Sequence, residues 1–203
     1  MDNLNEQNIP RQEEGGQSNT ESATTLSSAI EAESFFKTVK KRLFAVNNWQ
    51  EYAGKMTADF NLTDSRGNVV DRPAQKGDHF KIDIPGPGPA TGDGYDWVQV
   101  EAIEENSSGE SESVSILVRP ATNPTNERED VAHFFGEEAT SCFIIKRVGS
   151  TITAGVYGRN EKPNTQAENV IDKARNAAVA TVAVSGFSKL QWKSLVDGLV
   201  KND

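Results

Sequence analysis

Residues 77–104, GDHFKIDIPGPGPATGDGYDWVQVEAIE, decide how the rest of the chain is read. Phe80, Ile82 and Ile84 alternate with Lys81 and Asp83, the period-two pattern of a half-buried strand over residues 79–84. A stiff Pro/Gly loop over 85–94 follows. A second strand over 95–104 then carries Trp97, Val98, Val100 and Ile103 as its apolar positions, with Gln99 and Glu101 polar.

Working outward, further strands are predicted on both sides. Met56, Ala58, Phe60 and Leu62 alternate with Thr57, Asp59 and Asn61, and Asp64 to Asn68 is turn chemistry before Val69 and Val70. A polar connector over 106–112 reads as a hairpin turn into a strand over 113–119, where Val114, Ile116 and Val118 alternate. A long loop over 120–128 and one helical turn over 130–135 lead to strands over 140–148 and 151–157. Gly149-Ser150 joins these two as a hairpin turn.

Helices close both ends. Ser28-Ala29-Ile30-Glu31 is a capping box, in which hydroxyl and carboxylate each satisfy a backbone N–H of the first turn. Ala32, Phe36, Val39, Leu43 and Val46 then recur at helical spacing, with Lys37, Lys40, Lys41 and Arg42 as a solvated basic face. Thr165 to Glu168 is a second capping box. The following helix is expected to bury Val170, Ile171, Ala174, Ala178, Thr181 and Val182, and to break at Ser185-Gly186. Ser188 to Gln191 is a third box, with Phe187 and Trp192 placed as a hydrophobic staple, and Trp192, Leu195, Val196 and Leu199 make the last apolar stripe.

The fold class expected is α+β: a curved antiparallel sheet of about six strands packed against a long C-terminal helix, with an N-terminal helix. Residues 1–27 are nearly all Asn, Gln, Glu, Ser, Thr and Gly. Such a segment buries too little apolar surface to offset its ordering entropy, so it is predicted to be a disordered acidic tail, with residues 28–203 as a single α+β domain. A core of roughly 165 residues buries about 70% of its unfolded surface without a disulfide or metal staple.

The 203 residues carry a net charge of −9, and the pI of 4.8 makes nucleic acid and anionic membrane poor default partners. No basic-then-apolar leader and no 18-residue apolar run occur, and Cys142 is the single cysteine, so a soluble cytoplasmic protein is expected.

Motifs for chemistry are sparse. The Pro/Gly loop lacks the Lys-Ser/Thr of a P-loop, and its prolines remove backbone donors, so it reads as a semi-rigid linker. Asp83, Asp93 and Asp96 do not follow a calcium-loop spacing, and two histidines and one cysteine are too few and too scattered for zinc. No metal and no cofactor is expected. A Cys142/His133 dyad needs only spatial proximity, but the run ATSCFIIK reads as a strand in which the thiol is a small buried hydrophobe. Glu137-Glu138 is the densest carboxylate pair and reads as solvated. No catalytic residue is assigned.

The order of elements resembles the START-like helix-grip superfamily of polyketide cyclases and lipid-transfer proteins. Residues 34–49 match its N-terminal helix and turn. Residues 96–103, 113–119 and the hairpin around Gly149-Ser150 match its sheet, and 165–200 its gripping helix. The superfamily opens with a strand, where this chain has its polar segment, and its last helix is continuous where this one has Gly186. The resemblance implies an apolar cavity between sheet and helix, walled by Phe80, Ile82, Trp97, Phe143 and Val182. A small apolar ligand is then the expected partner. The alternatives are an interaction module recruiting a protein partner through the acidic tail or basic helix face, and a cyclase or hydrolase using His133 with a carboxylate.

Overall fold

The computed structural model describes residues 8–54, 58–85, 88–165, 170–182 and 188–202. Among these the chain is α+β, a curved open antiparallel sheet with helices on one face. Seven strands are described: β1 (Gly16–Thr25), β2 (Asp59–Thr63), β3 (His79–Asp83), β4 (Asp96–Ser108), β5 (Ser111–Pro120), β6 (Thr140–Val148) and β7 (Thr151–Glu161). Their order across the sheet is β1-β7-β6-β5-β4-β3-β2. Helix α1 spans Ala29–Phe44, α2 Trp49–Ala53, α3 Val170–Val182 and α4 Ser188–Leu199.

Register sorts the strand residues into two faces. Phe80 lies opposite Val98, Val100 opposite Val118, Ile116 opposite Phe143, and Phe143 opposite Val156. These make the inner face, buried against the helices. Strict alternation along β4 would send Ile103 outward. A bulge between Val100 and Ala102 takes up one residue, so Ile103 pairs with Ile116 on the inner side. Both long hairpins turn on glycines in the left-handed region, Gly109 at φ +58° and Gly149 at φ +57°, where a side chain is strained.

Helix α1 buries Ala32, Phe36, Val39 and Leu43 as its spacing predicts. Ser28 Oγ accepts from Glu31 N–H at 3.2 Å. The reciprocal half of the box differs: the Glu31 carboxylate takes the N–H of Ser27 at 3.2 Å, and its hydroxyl, one residue earlier than expected. Arg42 reaches across to the carbonyls of Leu199 and Lys201, tying α1 to the end of α4. Helix α4 buries Leu195, Val196 and Leu199. A Cβ on Gly198 would stand 1.9 Å from the Tyr52 carbonyl oxygen, so only glycine lets α4 lie this close to α2.

Three expectations are corrected. Residues 16–25 are not a disordered tail; they form β1, paired with β7 along its length, so the sheet begins before residue 28 and has seven strands rather than six. The strand is polar, but backbone hydrogen bonds need no particular side chain. Its inward residues Ser18 and Thr20 are small enough to be buried. Ser18 Oγ donates to Glu161 at 3.0 Å, and Ser22 Oγ donates to Asp197 of α4 at 2.6 Å. Residues 130–135 form no helical turn; Phe135 bridges to Pro163 and Gly136 N–H bonds to the Lys162 carbonyl, so the segment lies extended against the chain leaving β7. Finally, α3 does not bury Ala174 and Ala178, which are exposed; it buries Asp172, Asn176 and Ala180. Met56, most of the second capping box (166–168), the Ser185-Gly186 break and Phe187 lie outside the described residues.

Candidate functional site

Between the inner face and the C-terminal helices lies a partly open cavity of about 480 Å³. Its back is built by Phe80, Val98, Val118 and Phe143, one residue from each of β3 to β6. These positions are large and apolar because strand alternation presents them inward. Phe60 of β2 and Trp192 of α4 make one side, with ring centroids 5.8 Å apart. Trp192 also meets Phe143 edge-on at 5.4 Å and 82°. Trp49 closes off the aromatic cluster behind, in contact with Phe60, Phe80 and Phe143 at 4.9–5.5 Å, with its indole N–H held by the Leu43 carbonyl. Ala178 and Val179 of α3 and the run His133-Phe134-Phe135 form the rim.

Of the five predicted wall residues, Phe80, Ile82 and Phe143 line this cavity. Trp97 does not. It lies opposite Lys81 on the outer face, edge-on to His79 at 6.4 Å, with its indole N–H on the Gly92 carbonyl at 3.2 Å. Trp97 and Val98 are both apolar, and only the pairing of β4 with β3 decides which faces inward. Val182 belongs to α3, but its side chain lies outside the described residues. Sequence reasoning missed Phe60, Val98, Val118, Phe134 and Phe135 as wall residues. For the two rim phenylalanines the available signal was a His-Phe-Phe run in a segment without regular structure.

The rim is held by buried polar groups. Asp96, at the start of β4, accepts a backbone hydrogen bond from Phe134 at 2.9 Å and pairs with Arg175 of α3 at 2.5 Å. Asp172 caps the short helical turn Ala90–Gly92, accepting from Ala90 N–H at 3.1 Å. Asn176 donates to the Asn164 carbonyl at 3.2 Å, and the Asn164 amide in turn holds the carbonyls of Val131 and His133. Helix α3 therefore sits on the cavity mouth through a polar face, unlike α1 and α4.

His133 is buried among these groups. Its ring stacks on Phe134 at 4.2 Å and 25°, and its Nδ1 accepts the Phe135 N–H at 2.9 Å. Burial pulls its pKa down to about 4, against the upward influence of Asp96.

The residues weighed for catalysis or metal binding are not brought together. Cys142 faces outward among Ile9, Leu117, Ile144 and Tyr157, with its thiol pushed up to about 12 by burial, while His133 lines the cavity on the other side of the sheet. Asp96, whose charge acts on His133, is engaged by Arg175. Glu137 and Glu138 are exposed. Asp93 holds Asn123 and Asn126 of a neighbouring loop. Among the described residues no group of three or more His, Cys, Asp or Glu is gathered in metal-binding fashion. On the basic side of α1, Lys40 pairs with Glu105 at 2.5 Å and Lys37 with Glu33 at 3.5 Å, while Arg42 is taken up by backbone carbonyls at the end of α4. No helix of the described residues is long and apolar enough to cross a membrane.

Neither a family model nor a curated protein matches the chain. Solved structures similar to it include protein Ms6760 from Mycobacterium smegmatis, at 13% identity over 89% of this chain and 90% of that one, with a TM-score of 0.39. Ara h 8.0201 is similar at 14% identity over 92% and 100% of the two chains, with a TM-score of 0.36. The major latex-like protein 151 of Panax ginseng shows 11% identity over 88% and 99%, with a TM-score of 0.30. The last two are helix-grip, START-like folds. At such low identities and TM-scores the likeness carries nothing about function.

Proposed function

We propose that this chain binds a small apolar ligand in the cavity between the inner face of its sheet and helices α3 and α4. The observation that carries the reading is the cavity itself. Its 480 Å³ falls within the range of small-molecule sites, and its walls are aromatic and aliphatic with a few polar groups at the rim. A packed interior would have left the inner residues of β3 to β6 in contact with the helices and no such space. The expected cytoplasmic setting belongs to the same proposal and is supported by the absence of any second cysteine to pair with Cys142.

The test is direct. Nile red, a neutral apolar dye, is titrated into the protein while its own fluorescence and the tryptophan fluorescence are followed, and native mass spectrometry looks for retained mass. Saturable binding is expected, weakened about tenfold or more by Val118→Phe, which fills the back of the cavity. Absence of saturable binding together with a bare native mass overturns the proposal.

A further inference from the structure

We infer that the cavity selects an uncharged ligand carrying one hydrogen-bond acceptor, a carbonyl, hydroxyl or ether oxygen, which His133 receives, and that it discriminates against carboxylates. The inference rests on the ligand-binding reading above and names the ligand class for that site.

The first argument is the tautomer. Nδ1 of His133 accepts the backbone N–H of Phe135 at 2.9 Å, so it cannot itself carry a proton. The ring is therefore neutral and its hydrogen sits on Nε2, a donor and not an acceptor. The second is rigidity. The imidazole is stacked on Phe134, its carbonyl is held by Asn164 at 3.1 Å, and only 6% of the residue is exposed. The donor is thus held in place before any ligand arrives, which lowers the entropic cost of using it. The third is an absence in the hydrogen bonding. Among the described residues Nε2–H has no acceptor, although His133 lines the cavity and its other nitrogen is satisfied. Unlike the sealed, unpartnered Nδ1 of His79, this nitrogen is not shut off from the space beside it, so it is available to an oxygen that a ligand brings.

Charge then separates the ligand classes. Glu161 lines the same cavity, its carboxylate accepting from Ser18. The cation at this rim, Arg175, is committed to Asp96 through both terminal nitrogens, at 3.2 and 2.5 Å. A ligand carboxylate would meet the Glu161 carboxylate and, among the described lining residues, no Lys or Arg, while losing its hydration. A neutral oxygen suffers neither penalty.

Three probes with the same number of carbons test this on the full chain by displacement of Nile red at pH 7.5. They are butyrophenone, which carries a ketone; n-butylbenzene, the same skeleton without oxygen; and 4-phenylbutanoate, a carboxylate. For the wild type, butyrophenone is expected to bind about tenfold more tightly than n-butylbenzene, with 4-phenylbutanoate weakest. His133→Leu should abolish the ketone's advantage over n-butylbenzene, and His133→Gln, which restores an N–H donor, should recover part of it. Should His133→Leu fail to fold, the wild type decides: the Nε2 nitrogen resonance of His133 must move with butyrophenone and stay still with n-butylbenzene. Equal affinities for ketone and hydrocarbon, an advantage that persists in His133→Leu, or preference for the carboxylate each overturn the inference while the cavity reading stands. Failure of Nile red to bind, together with a bare native mass, overturns both.

Discussion

A buried neutral imidazole stacked on Phe134 makes stability depend on pH at His133. Burial holds His133 near pKa 4, below its ordinary 6.5. Above pH 6.5 the ring is neutral in both folded and unfolded chains. As pH falls below 6.5 the unfolded chain takes up a proton that the folded one refuses, so stability falls until pH reaches about 4. Between pH 7.5 and 5 the loss from this residue is about 2 kcal/mol. Urea unfolding of His133→Phe, which keeps the stacking on Phe134, should show a drop smaller by that amount over the same interval. An equal drop in the two proteins would mean that the ring is more accessible than its packing indicates. At this scale, alternation placed Phe80 and Ile82 on one face of their strand, and the pairing of β3 with its neighbours has them there. It failed for Trp97, because two adjacent apolar residues on one strand give no sign of which points inward. Cys142 was legible as a buried hydrophobe, since it lies inside an apolar run.

Helices α1 and α4 could be read from residue spacing because their buried faces are apolar; α3 could not. Its inner positions, Asp172, Asn176 and Ala180, include two polar residues that spacing rules place in solvent, and they are buried only because Ala90, Thr91 and Asn164 supply partners from distant parts of the chain. The Asp96–Arg175 pair is the strongest of these attachments, with its side chains 1% and 7% exposed. Asp96→Asn removes the carboxylate that Arg175 bonds through two nitrogens in a buried setting, at a cost of about 3 kcal/mol. Hydrogen exchange should then speed up in residues 170–182, while the β6–β7 hairpin keeps its protection. Uniform acceleration across the chain, or none, would show that α3 is not held by this pair. Strand β1 was illegible for a related reason. Composition measures what a segment can bury by itself, whereas β1 is ordered by the free edge of β7 and by hydroxyl contacts to Glu161 and Asp197.

For the molecule as a whole, a ligand that enters the cavity binds the folded chain and not the unfolded one, since the site is assembled from β2 through α4. Butyrophenone at 100 times its dissociation constant should therefore stabilise the fold by about 2.7 kcal/mol. For a chain of this length that raises the melting temperature by roughly 5–10 °C, measurable by scanning calorimetry. At the same ligand concentration Val118→Phe should cut the shift to about half or less, without lowering the ligand-free melting temperature by a comparable amount. By itself the sequence determined the α+β class, six of the seven strands, the apolar faces of α1 and α4, and the turn at Gly149, because each is encoded by residues close together in the chain. Tertiary structure alone decided the seventh strand, the polar seat of α3, the outward turn of Trp97, and the meeting of His133 with the aromatic cavity. Each of these depends on a partner dozens of residues away, and local pattern holds no record of which surface a strand or helix will meet.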